Sequence, residues 1–256
     1  MNGLASLVIA ISMYSRIPMP RIDWTKERMG YVMAWFPTVG VCLGAALFFL
    51  LAICEFLGIS AGARSLLVTA LPLLVTGGIH MDGFLDTTDA RRSYGEREKK
   101  LEILKDPHVG AFAVIGCAGY LLLYAAVSLE AALGKSAFLL ASAYVTERAL
   151  SGLSVVFFPS AKKSGTAATF SDGAKRNAAA VSLSLWLIVG IFSAWMLSGS
   201  LFFAAGLIIV QGMVFFWYRR MAMREFGGVT GDLAGYFLQV CELASLIWIV
   251  VWQKTA

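Results

Sequence analysis

The chain has 256 residues, of which 59% are hydrophobic and only 14% charged, and its mean hydropathy is +0.75. Soluble domains carry about 25% charged residues, so the composition excludes an ordinary soluble enzyme and indicates a polytopic membrane protein. The net charge of +5 does not call for a nucleic-acid partner, and none is expected.

The N-terminal stretch LASLVIAISMYS is only about half a span, so it reads as a re-entrant, interfacial or short embedded helix. It lacks a basic leader and a small-residue cleavage site, so no signal peptide is expected. Residues 29–54, 65–81 and 109–129 are three charge-free runs long enough to cross a bilayer. Residues 136–158 form a fourth run, interrupted by Glu147 and Arg148. Residues 177–218 are uncharged for 42 positions, too long for one crossing, and the SGS at 198–200 is a natural turn between two. Residues 233–252 are the last run, with Glu242 inside it. The expected fold class is therefore all-α: an integral membrane helical bundle of about seven spans plus the short N-terminal helix, in a single domain over 1–256. Cys42, Cys54, Cys117 and Cys241 sit singly in apolar segments and read as free thiols.

Alternate loops differ sharply in charge. Segments 21–29, 91–106, 159–177 and 219–232 hold 16 Lys and Arg, against 3 on the other side. The basic side is expected in the cytoplasm by the positive-inside rule.

The block GGIHMDGFLDTTDA, residues 77–90, ends the second apolar run on that side with Asp82, Asp86 and Asp89. On a helix Asp86 falls about 40° and Asp89 about −20° from Asp82, so all three share one narrow stripe. Like charges at this spacing repel. A divalent cation would offset the repulsion, and magnesium suits a site of few carboxylates completed by water and phosphate oxygens. The plain alternative is a solvated acidic helix end beside a basic loop. His80 falls about 160° away and joins the carboxylate face only if Gly77-Gly78 distorts the helix. Gly83 permits close approach of a neighbouring helix or a ligand.

Further polar groups face the same side. ILKDPHVGAF offers Asp106 as an N-cap before Pro107 or as a further metal ligand, and Lys105 as a point charge for phosphate. GGVTGD, residues 227–232, brings Gly228, Thr230 and Asp232 to the start of the last span; backbone N–H groups there can hold an anion, and Asp232 is a candidate N-cap. KKSGTAATFSDG, residues 162–173, resembles a mobile substrate loop in composition but also an ordinary one. Glu147 and Arg148 are poorly placed to pair as chain neighbours; an interhelical Arg148–Glu242 pair, structural or in contact with substrate, is the expectation instead.

Carboxylates, an expected magnesium ion and basic loops at a membrane surface suit work on a diphosphate, where a metal neutralises charge on bridging and leaving oxygens. The residues alone leave open attack on phosphorus, ionisation of a prenyl diphosphate by a membrane prenyltransferase, or a transporter with an intramembrane cation site. The acidic cluster lies at a helix end, whereas transporter sites lie near the midplane.

The acidic block, followed by ILKDPHVGAFAV, resembles the cobalamin synthase family, adenosylcobinamide-GDP ribazoletransferase. SRIPMP, WFPTVGVCLG and GGVTGDLAGYFLQVCE resemble its other segments, so the likeness runs nearly end to end; Ala113 stands where the family has a glycine. The resemblance implies a magnesium-dependent enzyme of the cytoplasmic (inner) membrane. It would join adenosylcobinamide-GDP to α-ribazole or its 5′-phosphate and release GMP, with a homo-oligomer left open. Within that reaction, chemistry assigns magnesium to Asp82, Asp86, Asp89 and Asp106. The proton of the attacking 5′-oxygen goes to His80 or an aspartate, and phosphate contacts to Lys105 and Arg91. Gly83, Gly228, Thr230, Asp232 and Arg148 complete the expected substrate contacts.

Overall fold

Charge-free runs and turn residues divide the chain into helices at nearly the expected places. The computed structural model describes residues 2–131, 133–134, 136–161 and 173–255. A short α1 (Asn2–Tyr14) precedes α2 (Lys26–Met29) and α3 (Val32–Trp35), which leads directly into α4 (Pro37–Phe56). Pro37 sits in the first turn of α4, where a missing N–H costs no helix bond. Then come α5 (Ala61–Thr76), α6 (Ile79–Arg92), α7 (Arg97–Ile103), α8 (Ala111–Glu130) and α9 (Ala137–Phe157). The chain ends with α10 (Gly173–Ser198), α11 (Leu201–Met221), a π-helical turn at Ala222–Phe226 and α12 (Gly231–Thr255). The SGS turn is as expected: Gly199 is left-handed at φ +64 and the Ser200 side chain accepts the Phe203 N–H at the start of α11.

Five segments are long and apolar enough to cross a membrane: Val32–Phe56, Ala111–Glu130, Arg176–Ser198, Leu201–Phe226 and Gly231–Thr255. The protein is thus an all-α, multi-pass membrane protein. The pair α5 and α6 would add a sixth crossing only if counted together, because the two are bent by 97°. This corrects the expectation that the second apolar run carries straight on into the acidic block. Gly77 and Gly78 both adopt left-handed backbone (φ +68 and +81), which ends α5 and starts α6 in a new direction. The three aspartates therefore belong to a separate helix.

Helix α9 is the buried centre of the bundle. It packs chiefly against α4 and α10 and also against α12. Most of its side chains are enclosed, including Ser142, Thr146, Glu147, Arg148, Ser151 and Ser154. A helix that touches protein all round uses small and polar residues, as membrane bundles do at close crossings. The outer helices show the complementary pattern, with Phe49 and Ile53 on α4, Ile188 and Phe192 on α10, and Ile209 and Phe216 on α11 exposed toward the bilayer.

Candidate active site

Helix α6 carries the acidic block, and its neighbours decide which of its groups are available. Against one side lies the start of α12. A Cβ on Gly83 would come 2.6 Å from the Asp232 carbonyl oxygen, and one on Gly235 would come 3.0 Å from the His80 carbonyl oxygen. Gly83 thus serves a helix–helix approach. On the other side lies the N-terminus of α8. Asp89 Oδ2 accepts the Gly110 N–H at 2.6 Å and Oδ1 accepts the Ala113 N–H at 2.8 Å. Between these flanks Asp82 is exposed and Asp86 half-buried.

The three aspartates consequently split into two kinds. Asp82 and Asp86 occupy the open strip of α6. Asp89 caps α8, satisfying N–H groups that have no partner within that helix and placing a negative charge at its positive end. The sequence suggested Asp106 for a cap. Instead Asp106 sits in the preceding loop, with Oδ1 3.0 Å from the His108 N–H and 2.7 Å from His108 Nδ1. These hydrogen bonds hold its carboxyl below the usual carboxylate range. Lys105, in the same loop, is exposed.

His80 points to the interior, on the far side of α6 from the carboxylate stripe, as its place on the helical wheel requires. It is 4% exposed, with ring centroids of Tyr14 and Phe36 at 6.1 and 5.9 Å. Arg91 faces away from the carboxylate stripe: nine residues on from Asp82, it points about 180° away on the helix. Its guanidinium pairs with Glu225 at 3.2 Å, donates to the Tyr236 hydroxyl at 3.0 Å and lies over the Trp217 ring. Lys100 joins the same carboxylate at 2.8 Å. Glu225 escaped the sequence reading. Its signal was a lone acid in an otherwise basic connection, at the π-helical turn between α11 and α12.

In the glycine loop, Thr230 is the N-cap of α12, accepting the Leu233 N–H at 3.2 Å, in place of the expected Asp232. Thr230 also donates to Asp232 Oδ2 at 3.3 Å. Gly228 is buried where a Cβ would strike Pro159 and Ala161 backbone, and Val229 bridges to that segment through the Val229 N–H to Pro159 O and the Ala161 N–H to Val229 O. Arg148 lies in the bundle interior, paired at 2.7 Å with its own neighbour Glu147 and donating to the Tyr144 carbonyl at 3.1 Å. This corrects the view that adjacent helical residues pair poorly here. Of the candidate loop at 162–173, residues 162–172 lie outside the described residues.

Among the described residues no three His, Cys, Asp or Glu side chains converge as a ready-made metal cluster. Asp82 and Asp86 supply two carboxylates one turn apart, and magnesium typically takes one or two carboxylates together with substrate phosphates. The donor set therefore fits a magnesium ion that arrives with a phosphorylated substrate.

Two carboxylates one turn apart on a broken helix of a membrane protein suit an enzyme that handles phosphate esters. Comparison makes this specific. Residues 6–250 match the family described as cobalamin-5-phosphate synthase, and the chain belongs to that family. It is 41% identical to an adenosylcobinamide-GDP ribazoletransferase of Lachnoclostridium phytofermentans, over 98% of this chain and 95% of the relative. Enzymes of the same name from Fusobacterium nucleatum (30% identical, 96% of each chain) and Clostridium perfringens strain 13 (28%, 93% of this chain and 94% of the relative) are also similar. No solved structure matches. Membership of the family makes this chain a cobalamin-pathway phosphotransferase.

Proposed function

We propose that the protein transfers the adenosylcobinamide-phosphate group from adenosylcobinamide-GDP to α-ribazole or its 5′-phosphate. GMP leaves, and the product is adenosylcobalamin or its 5′-phosphate. The supporting observation is the strip of α6 on which Asp82 is exposed and Asp86 half-buried one turn away, while Asp89 caps α8. The reading is further supported by the similarity to ribazoletransferases along nearly the whole chain, which acts as one catalytic unit.

In this reading Asp82 and Asp86 hold magnesium, which supplies charge neutralisation on the diphosphate of the bound substrate. Lys105 and Asp106, on the exposed loop ahead of α8, contact the substrate from the solvent side. Thr230 and Gly228 fix the glycine loop beside α6. A family described by a 5-phosphate product also changes the nucleophile. An acceptor whose 5′-oxygen already carries phosphate must attack through another ribose hydroxyl, so the 5′-oxygen is replaced in that role. Burial of His80 among aromatic rings leaves an aspartate as the proton acceptor.

Seven crossings are proposed, with α9 and the α5–α6 pair added to the five apolar segments, since α9 has the 21 residues a crossing needs. The basic loops and the aspartates then face the cytoplasm.

The test uses purified protein with adenosylcobinamide-GDP and α-ribazole 5′-phosphate, with and without magnesium, following GMP and the corrinoid product by mass. Magnesium-dependent product in step with GMP supports the reading. Asp82→Asn and Asp86→Asn should each abolish turnover at ordinary magnesium while the protein stays folded. Near wild-type turnover in either variant removes that residue from the metal site.

A further inference from the structure

On the side of α6 away from Asp82 lies a cavity of about 380 Å³, lined by Phe84, Thr88, Arg91, Arg92, Tyr94, Gly116 and Tyr236. Its volume is within the range of about 300–1,000 Å³ typical of ligand pockets. Arg91 is committed to Glu225, but none of the ion pairs among the described residues uses Arg92, which is exposed. Tyr94, the next lining residue, holds a left-handed backbone at φ +53 and is 82% exposed. Tyr94 takes it as the first residue past the C-cap of α6, where a left-handed residue commonly closes a helix.

The surroundings below the cavity decide what would enter it. Gly116 continues down α8 into Gly119 and Leu123 on the same helical face. A Cβ on Gly119 would meet nothing within 4 Å, and Leu123 is 48% exposed. On α12 the Tyr236 face continues through half-buried Val240 and Leu243. The cavity is therefore an arginine- and tyrosine-lined head above an apolar track that opens to the bilayer. This pairing of cationic and aromatic groups at the water boundary with apolar surface beneath has the chemistry of an anionic lipid.

We propose that the cavity binds an anionic phospholipid. The lipid phosphate lies against Arg92 under Tyr94, and an acyl chain follows the Gly116–Gly119–Leu123 face of α8. The site is separate from the catalytic strip: a ligand in it is divided from Asp82 and Asp86 by the body of α6, and it does not depend on the reaction proposed above. Soluble phosphates share the headgroup's chemistry but would make no use of the apolar track.

The full chain is purified in mild detergent after reconstitution with phosphatidylglycerol or with phosphatidylcholine, and retained lipid is read by native mass spectrometry. Phosphatidylglycerol should be retained preferentially. Arg92→Gln should weaken retention about fivefold, as expected for one basic residue at an anionic lipid surface. Gly119→Trp, which fills the open track, should also displace the lipid. Equal retention of the two lipids, or undiminished phosphatidylglycerol on Arg92→Gln protein, overturns the proposal. So does displacement by inorganic phosphate together with indifference to Gly119→Trp, which would identify a soluble-phosphate site.

Discussion

The Asp89 carboxylate accepts the Gly110 and Ala113 amides at 2.6 and 2.8 Å, so an aspartate of the acidic block is the cap of the next membrane helix. Both its oxygens are engaged by these amides. Asp89→Ala should therefore destabilise the protein by about 1.5–3 kcal/mol, the range for hydrogen bonds to charged groups. Asp89→Asn, which keeps one acceptor oxygen, should cost less. A magnesium titration of residual turnover separates cap from ligand. The Asp89→Asn half-saturation should match wild type, and a strongly raised magnesium demand would return Asp89 to the metal.

Gly110 completes the same contact, because any Cβ there would collide with the Asp89 carboxylate. Gly110→Ala should destabilise α8 in its own right. Combined with Asp89→Ala it should cost clearly less than the sum of the single losses, since both act on one contact. Additive losses in detergent unfolding curves would show two unrelated effects.

At Gly83 the effect should fall on catalysis. The Asp232 backbone leaves no room for a Cβ at 2.6 Å, so Gly83→Val must push α6 away from α12 and move Asp82 and Asp86 relative to the glycine loop. Displacements of about 1 Å can cost about 100-fold in rate. The expected result is a folded, membrane-inserted protein with at least that loss in kcat. Wild-type turnover would mean that the α6–α12 crossing does not set the site.

Much of this was legible in the sequence because hydrophobic length and charge asymmetry report directly on the bilayer. The third run, read as 109–129, is the helix Ala111–Glu130, and the SGS turn ends a helix at Ser198. The acidic stripe was legible because helical periodicity alone puts Asp82, Asp86 and Asp89 in line. What periodicity omits is the identity of the neighbours. Nothing near Asp89 in the chain announces Gly110, 21 residues away. The bend at Gly77-Gly78 was misjudged for a related reason: apolar residues continue on both sides of it, and only the left-handed glycine backbones reveal the break. The rings that enclose His80 likewise come from α1 and from the junction of α3 and α4, beyond the reach of a helical wheel.

Glu225 holds Arg91 and Lys100 together from the π-helical turn, linking α6, α7 and the approach to α12. The group is about a quarter exposed, so the pair is partly shielded from solvent. Glu225→Gln should lower stability by about 1.5–3 kcal/mol. The loss should shrink as salt is raised, because screening already weakens the wild-type pairs. Equal stability of the two proteins at low salt would show that the arginine is held by Tyr236 and Trp217 alone.

Arg148 and Glu147 form an ion pair at 2.7 Å in the bundle interior, each at most 1% exposed. Removing one partner leaves the other charge buried and uncompensated, a loss of about 3–5 kcal/mol, whereas replacing both by apolar residues of similar size is often neutral. Arg148→Met should therefore destabilise strongly, and Glu147→Leu with Arg148→Met should recover most of the loss in detergent unfolding. Activity in the double variant then decides the role of the pair. Turnover near wild type means that these charges only hold α9 in register. A stable but inactive double variant would restore Arg148 to substrate recognition, despite its depth in the bundle.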